Sequence, residues 1–408
     1  MPGAAQHPAD DASNGVALAR NSDRDRGLAG DDALDVVAYY HQPVKARLLH
    51  ELLLPLAAAH EAEGLNAHVE RHWLHGPHLR LRLHGPRAHR EAAATIAADR
   101  IREWIHLNPS RGDLTDDELL RQAAEAGRAE LIPPPYGPIV AENTVRIEPV
   151  DGSSLRSLLG DEGSDLRDEL LRAGLPALRA GAGFLAAHEH DPGQGARARL
   201  ALAVTALVAH ARAHPGGLAG GHYSYVSHLE DFLVHDDPDG RLRAGFERRW
   251  ERAAETVTDL VTRIAGDGAR GWERAWVDFS ADAWQRVRAR HEKGAELHGS
   301  PAAYRERAAA TGDAAAAQRW NPETRTRFSE FHRLLSRSDP QGRMWSHPDY
   351  LIYRSCTNAL YRLLAICDVR PLERYLAAHL VVRAVPAVTG VDWRTEIDAA
   401  IEAVEARA

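Results

Sequence analysis

One short run in the first quarter of the chain alternates leucine with cationic side chains. From His78 to His84 the residues are His, Leu, Arg, Leu, Arg, Leu and His, with Gly76-Pro77 before them and Gly85-Pro86 after them. Successive side chains of a strand point to opposite faces, so the leucines share one face and the arginines share the other. Gly-Pro pairs mark turns. The run therefore predicts a half-buried β-strand whose leucine face must meet a hydrophobic core.

Strand and helix patterns alternate around this run, and helical patterns dominate from about Ser153 onwards. Val36 to Tyr40 is β-branched and aromatic, which predicts a strand. Leucines recur at helical spacing from Val44 to Ala59, where Pro55 interrupts or curves the helix. Later helical segments are predicted at Arg90 to Leu107, Leu166 to Leu185, Ala196 to Ala213, Phe246 to Ile264 and Leu351 to Ala384, the last with a new helix at Pro371. Ranges 266–271 and 311–318 predict loops. We expect an α+β fold, a small β-sheet with packed helices followed by a mainly helical region.

We divide the 408 residues into three parts. Residues 1–32 are rich in Ala, Asp, Asn and Gly and predict a disordered tail without a secretion signal. Residues 33–390 predict a single α+β domain, and residues 391–408 predict a C-terminal helix. No run of about 18 apolar residues is present, so we expect no membrane span and place the protein in the cytoplasm. The formal charge of -8 argues against a nucleic-acid partner.

The cationic side chains of the alternating run have two alternative roles. Arg80 and Arg82 form a solvated face if the strand is an ordinary half-buried one. They form a platform if the face lines a site, because planar guanidinium groups suit carboxylates and peptide carbonyls better than lysines do. Histidines are also dense here, at His68, His72, His75, His78 and His84. Gly76-Pro77 disrupts any helix that would align three of them, and we assign them no cysteine or acidic partner, so we predict no metal.

Hydroxyl, phenol and imidazole groups crowd the segment from Gly221 to Leu233. The segment lacks the Gly-x-Ser-x-Gly form of a serine-hydrolase nucleophile elbow. Ser227 is suited to cap a helix that begins at His228, with Glu230 as its partner three residues on. A helix N-terminus also places donors at developing negative charge, so capping and chemistry are compatible.

A polar stripe occurs in the apolar C-terminal segment. Arg354, Asn358 and Tyr361 are spaced by four and three residues, which places them on one side of a helix. That side faces either water or a polar cavity. The sequence has no Walker loop, no dinucleotide fingerprint and no His-Glu-x-x-His motif, so we expect chemistry without a cofactor.

Five runs occur in order between Leu34 and Ala387. They are Ala38-Tyr39-Tyr40-His41, Arg71 to Leu81 (Arg-His-Trp-Leu-His-Gly-Pro-His-Leu-Arg-Leu), Ser224 to Leu233 (Ser-Tyr-Val-Ser-His-Leu-Glu-Asp-Phe-Leu), Asn358 to Tyr361 and Pro371 to Tyr375. In these runs the chain resembles the thiopeptide maturation pyridine synthases, relatives of the C-terminal elimination domain of lantibiotic dehydratases. Arg354 stands where the elimination domains have a histidine, which lowers the prospect of glutamate elimination. Val226 stands where the family run has an arginine.

The resemblance implies a RiPP maturation enzyme that joins two dehydroalanines of one peptide by a formal aza-[4+2] cycloaddition. Loss of water and of the leader peptide then leaves a pyridine within a macrocycle. His228 or Tyr225 would transfer protons, and Ser227 and Tyr361 would orient the substrate. Arg80 would hold peptide carbonyls or the departing leader amide. Further substrate contacts are expected from Arg82, Arg71, His78, Ser224 and Asn358.

Two other functions stay open. One is elimination of glutamate from glutamylated Ser or Thr, and the other is a non-catalytic subunit that holds a leader peptide. The expected partners are the dehydrated precursor peptide with its leader and other enzymes of the same biosynthesis. A homodimer also stays open.

Overall fold

A computed structural model describes residues 33–407, and the tail expected at residues 1–32 lies outside the described residues. Four strands form one antiparallel sheet in the order β2-β3-β1-β4. Their bounds are β1 Ala33–Tyr39, β2 Asn66–His72, β3 His78–His84 and β4 Val145–Pro149. The alternating run is strand β3 over its full predicted length, and it lies inside the sheet. The sequence patterns predict neither of the edge strands, β2 and β4.

Helices make up most of the remaining chain. The first changes from α-helix (α1, Ala46–Leu48) through a π-helical stretch (Leu49–Leu53) to α-helix again (α2, Leu54–Ala62), with Pro55 in the first turn of α2. The others are α3 Arg87–Leu107, α4 Asp116–Glu130, α5 Ser153–Ala173, α6 Leu175–Ala186, α7 Pro192–Ala213, α8 Gly217–Gly221, α9 Tyr223–Asp236, α10 Arg241–Ala265, α11 Trp272–Glu292, α12 Pro301–Ala310, α13 Ala314–Trp320, α14 Glu330–Ser338, α15 Pro348–Ile366, α16 Pro371–Thr389 and α17 Trp393–Glu405. A short 3-10 helix spans Arg343–Ser346. The expected α+β class, a small sheet followed by a mainly helical region, is confirmed.

The leucine face of β3 meets the hydrophobic core. Leu79, Leu81 and Leu83 have no exposed surface, and helices α2 and α3 pack on the sheet beside them. Burial of one leucine side chain stabilises a fold by about 1.5–3 kcal/mol. The alternation of the sequence therefore fixes which face of the sheet carries the core.

The arginine face is largely buried as well, with Arg82 buried and Arg80 half-buried, so it is not a solvated face. Arg82 donates two hydrogen bonds to Asp35, at 2.8 and 2.9 Å, and lies 3.3 Å from Glu70. Helix α5 adds Arg167, which pairs with Glu70, and Asp168, which lies 3.8 Å from Arg82. Burial would raise the pKa of Glu70, but Arg167 and Arg82 outweigh burial and hold that pKa well below its ordinary value. This face is an ion network that joins the sheet to the helical half of the molecule.

Helix α7 is the centre of the helical half. Its residues 202–211 are buried without a break, because α6, α10, α11, α15 and α16 pack around it. Helix α9 lies on α16, and α15 contacts α7, α11 and strand β2. Side chains of α9, α15 and α16 are thereby brought together. In the part of the chain that the structure describes, no helix has the length and apolar character needed to cross a membrane.

Two local predictions are wrong. Helix α9 begins at Tyr223, so Ser227 lies inside the helix and does not cap a helix at His228. Range 311–318, which predicts a loop, contains the start of helix α13. Asp313 caps that helix by accepting a hydrogen bond from the backbone N–H of Ala316 at 2.8 Å. Helix α17 packs against α14, and the division of the chain at residue 390 stays a prediction.

Candidate functional site

Helices α9 and α15 bring His228 and Tyr361 into contact. Nδ1 of His228 lies 2.9 Å from the Tyr361 hydroxyl, across 133 residues of sequence. His228 keeps contact with solvent, and its Nε2 has no hydrogen-bond partner among residues 33–407. The pair is therefore accessible to a ligand.

Arg374 on α16 completes this group. Its guanidinium carbon lies 4.2 Å from the centre of the Tyr361 ring and 5.2 Å from that of Tyr375. Tyr375 in turn stacks on Phe232 of α9 at 4.0 Å, which holds the rings in place. Within residues 33–407 no carboxylate pairs with Arg374, and its Nε is buried without a hydrogen-bond partner. An unpaired guanidinium on two rings can bind an anionic or carbonyl oxygen.

The electrostatics keep both members of the His228–Tyr361 pair neutral. Part of the His228 side chain stays exposed, but the protein around it removes water from the imidazole. This desolvation, followed by the positive charge of Arg374, lowers the pKa of His228 to about 4, against the opposing effect of Asp231. Arg354 lowers it further. Burial also raises the pKa of Tyr361 above its ordinary value. At neutral pH the imidazole is therefore a free base and the phenol keeps its proton.

A neutral imidazole and a neutral phenol offer one donor and one acceptor to a ligand. If Nδ1 of His228 carries the proton and donates to Tyr361, then Nε2 accepts and the phenol O–H donates. If the phenol donates to Nδ1, then Nε2–H donates and the phenol oxygen accepts. In both cases the group can take one proton from a substrate while it gives another, which general acid–base catalysis requires.

A second hydroxyl–imidazole contact lies beside the first. The Ser227 hydroxyl is 3.0 Å from Nε2 of His332, a residue of helix α14. Nδ1 of His332 lies 2.7 Å from the hydroxyl of Ser329, the residue that caps α14. Ser227 and His228 are neighbours on α9, so the two contacts start from adjacent residues.

The structure brings some predicted site residues together and leaves others apart. Ser224 is half-buried one turn before His228, and Asn358 is exposed one turn before Tyr361. Tyr225 is fully buried, and its hydroxyl donates to the backbone carbonyl of Leu207 at 2.6 Å. Burial raises the pKa of Tyr225 well above its ordinary value. Tyr225 is therefore a core residue whose hydroxyl is engaged by the Leu207 carbonyl and, at 3.3 Å, by the Tyr353 hydroxyl.

The predicted substrate-binding residues of the β3 region are engaged inside the protein. Arg82 belongs to the ion network of the sheet, and Arg71 pairs with Asp368. His78 has 1% of its surface exposed, and its Nδ1 lies 2.8 Å from the carbonyl of Gly76. The Nε–H of Arg80 donates to Nε2 of His78 at 2.8 Å. These contacts favour a structural role, with only Arg80 and Arg71 partly exposed.

One group of potential metal ligands occurs among residues 33–407. Ligand atoms of His68, Glu70 and Asp168 lie within 4.8 Å of one another, so acidic partners do exist for a histidine of the β3 region. Arg167 pairs with both carboxylates, and Arg82 lies 3.3 Å from Glu70. Guanidinium groups already neutralise these oxygens, so the residues do not fit a divalent cation.

Two cavities lie away from His228. One, of about 180 Å³, is lined by Tyr40, Lys45, Trp104 and Glu189 among others. The other, of about 760 Å³, lies between the end of the sheet, α5 and α11. Its charges largely satisfy each other, since Arg286 and Arg290 both pair with Glu169, at 3.2 and 2.6 Å. The His228 group differs because its guanidinium has no acidic partner, so we place the candidate site there.

Sequence reasoning assigns no role to Arg374, His332 or Arg354. Arg374 lies in the Pro371 to Tyr375 run, directly before Tyr375. Its place in that motif is the feature of the sequence that could have identified it. His332 lies in no motif. Arg354 lies in the predicted stripe, is half-buried, and has its guanidinium 5.8 Å from the ring of Tyr304.

Comparison with known proteins confirms the resemblance identified from the sequence. The family model described as the lantibiotic biosynthesis dehydratase C-terminus matches residues 34–151. A solved pyridine synthase, TbtD, from thiomuracin biosynthesis is similar with a TM-score of 0.63 and 20% identity, over 88% of this chain and 99% of that chain. The crystal structure of TsrL is similar with a TM-score of 0.59 and 17% identity, over 90% and 97%. A search of curated proteins gives no match. At these identities the solved structures establish the fold.

Proposed function

We propose that this chain is a RiPP maturation enzyme that makes the central pyridine of a thiopeptide. It would join two dehydroalanines of one peptide by a formal aza-[4+2] cycloaddition, closing a macrocycle with loss of water and of the leader peptide. The fold shared with a pyridine synthase supports this proposal. The observation that carries it is the neutral His228–Tyr361 pair with the unpaired Arg374 beside it.

The first step of this reaction is a proton transfer, and the His228–Tyr361 pair can carry it out. A peptide amide must lose its N–H proton and gain a proton on oxygen to become the iminol form of a 2-azadiene. His228 and Tyr361 present one acceptor and one donor to a ligand, and the 2.9 Å contact between Nδ1 of His228 and the Tyr361 hydroxyl holds the two side chains together. The Arg374 guanidinium would stabilise charge that develops on the amide oxygen. This step requires no nucleophile.

The second step, the cycloaddition itself, depends more on how the two alkenes are positioned than on acidic or basic side chains. Two alkenes of one peptide must be held near each other before bonds form, which lowers the entropic part of the barrier. Asn358 and Ser224, which lie one turn away from the central pair on α15 and α9, would hold backbone amides of the peptide. The peptide partner is accordingly a dehydrated precursor that still carries its leader.

A direct test uses the purified chain and a leader-bearing peptide with two dehydroalanines. We expect mass spectrometry to detect a product that has lost one water and the leader, with the leader released as a C-terminal carboxamide. His228→Ala should slow product formation by about 100-fold or more, the usual effect of losing a general base. His89→Ala, an exposed histidine of α3, is the matched control. A chain that binds the peptide and returns it unchanged would be a holding subunit and not this enzyme.

Glutamate elimination is the second candidate. Arg354 stands where the elimination domains have a histidine, but among residues 33–407 neither Arg354 nor Arg374 has an acidic partner. These could bind the carboxylate of a glutamyl ester before it leaves as glutamate. Incubation with a peptide glutamylated on Ser or Thr separates the two functions. Release of free glutamate with formation of dehydroalanine would support elimination, and an unchanged glutamylated peptide would exclude it.

A further inference from the structure

Ser329, His332 and Ser227 form a chain of hydrogen bonds that leads from a buried helix cap to α9. Ser329 is 3% exposed, and its hydroxyl accepts the backbone N–H of His332 at 3.3 Å. The same hydroxyl lies 2.7 Å from His332 Nδ1, and His332 Nε2 lies 3.0 Å from the hydroxyl of Ser227. Ser227 is half-buried and directly precedes His228.

The direction of this chain follows from the buried hydroxyl. Ser329 has one hydrogen to donate, and in the described part of the chain Nδ1 of His332 is the contact left to receive it. A buried hydroxyl hydrogen without an acceptor costs about 1–3 kcal/mol, so the hydrogen points to Nδ1. A neutral imidazole that accepts at Nδ1 carries its proton at Nε2. Nε2–H then donates to the Ser227 oxygen, and the hydrogen of Ser227 stays free.

His332 must be neutral for this assignment. Burial lowers the pKa of His332, and Arg325 acts in the same direction, while Asp231 and Glu230 oppose them. Asp231 is itself paired with Arg319 at 2.6 Å and with Arg325, which reduces its effect on the imidazole. The neutral form is therefore favoured at neutral pH.

We infer that Ser227 is a hydrogen-bond donor for an amide oxygen of the peptide substrate, and that His332 is the positioning residue that fixes the direction of the Ser227 hydroxyl. The inference rests on the proposed function for the identity of the substrate. Each donor in the chain polarises the next, so the Ser227 hydroxyl is a better donor than an isolated serine. Beside His228, it supplies a donor for the amide oxygen while the imidazole takes the N–H proton.

The tautomer of His332 tests this direction without any substrate. In nitrogen-15 NMR spectra of the full chain we expect the proton of His332 on Nε2 and an accepting Nδ1. Ser329→Ala should remove that preference, whereas Ser336→Ala, an exposed serine of α14, should keep it. A proton on Nδ1 in the unmodified chain would overturn the inference. This result is independent of activity, so it separates a failure of the inference from a failure of the proposed function.

Turnover of the dehydroalanine peptide tests what the hydrogen bonds from Ser329 through His332 to Ser227 contribute to catalysis. Ser227→Ala and His332→Leu should each lower kcat by about 100-fold or more with KM changed less than about twofold, in line with the loss of one preorganised donor. His332→Gln, whose amide N–H can donate to Ser227, should recover most of the loss. The double variant Ser227→Ala/His332→Leu should be no slower than Ser227→Ala, because both changes remove one interaction.

A merely structural role for His332 gives different results. In that case His332→Leu would lower the melting temperature and leave kcat intact, or its loss would multiply with that of Ser227→Ala. Either outcome would overturn the inference. Should His332→Leu not fold, His332→Gln and Ser227→Ala still decide the question. A Gln variant as slow as Ser227→Ala would overturn the inference, as would an Nδ1 proton in the unmodified chain.

Discussion

The guanidinium carbon of Arg374 lies 4.2 Å from the centre of the Tyr361 ring. The same guanidinium is the largest charged influence on His228. One cation therefore acts on both members of the hydroxyl–imidazole pair, and it is held there by aromatic rings and not by a carboxylate.

Replacing Arg374 should change the titration of His228. A nearby cation disfavours the protonated imidazole, so Arg374→Gln should raise the pKa of His228 from about 4 towards its ordinary value. The NMR titration of the His228 ring measures this directly. Arg249→Gln, at an exposed arginine of α10, should leave the titration unchanged. An unaltered pKa in Arg374→Gln would mean that the two side chains do not interact in solution.

The rate should depend on pH in the direction that a low pKa of His228 sets. The imidazole acts as a base only when it is neutral, and its pKa of about 4 keeps it neutral well below pH 7. We expect kcat/KM to stay level from neutral pH down to about pH 5 and to fall as His228 becomes protonated. Asp231, Arg354, Arg374 and His332 are the charged or titratable groups that influence it. A fall centred near pH 6.5 would indicate a histidine with an ordinary pKa.

Tyr225→Phe should affect stability and not turnover. The Tyr225 hydroxyl donates to the carbonyl of Leu207 in the core, at 2.6 Å. Loss of such a hydrogen bond costs about 1 kcal/mol of unfolding free energy. Denaturant unfolding measures that change, and kcat on the dehydroalanine peptide should stay within about twofold, since no general acid or base is lost. A large fall in kcat would return Tyr225 to the proton-transfer role that its sequence position predicts.

Arg82→Ala should destabilise the protein. Arg82 is buried and binds Asp35 in a two-pronged contact, so its removal leaves a buried carboxylate without its main partner. Breaking a buried pair in this way costs roughly 3–5 kcal/mol. Arg87→Ala, which removes an exposed arginine that pairs with Glu91, should show no measurable change. Equal stabilities of the two variants would mean that the ion network contributes little.

The sequence predicts a strand or helix most accurately where its local signals agree. Strand β3 has the predicted bounds because its alternation and its flanking Gly-Pro pairs agree. Strand β2, Asn66–His72, contains few apolar residues, and its buried Glu70 pairs with Arg82 of β3 and Arg167 of α5. A pattern that depends on burial of apolar side chains cannot identify such a strand.

The sequence predicts the candidate site only in part, because the contacts between its helices are not visible in local patterns. His228 and Tyr361 were identified through motifs, whereas their contact depends on how α9 packs near α15. Arg374 has a role because it lies over Tyr361, a relation between two helices that spacing within one helix does not express. The sequence predicts Ser227 at a helix start because it shows no signal for the four residues of α9 that precede it.

The ion network on the arginine face limits how the molecule can be divided. The segment that matches the family model, residues 34–151, contains Asp35, Glu70 and Arg82. Glu70 of that segment also pairs with Arg167, which lies on α5 outside the segment. The sheet half is therefore not an interchangeable module. A chimaera that joins this sheet to the helices of a relative would need an arginine supplied at the same place, or it would bury an uncompensated charge.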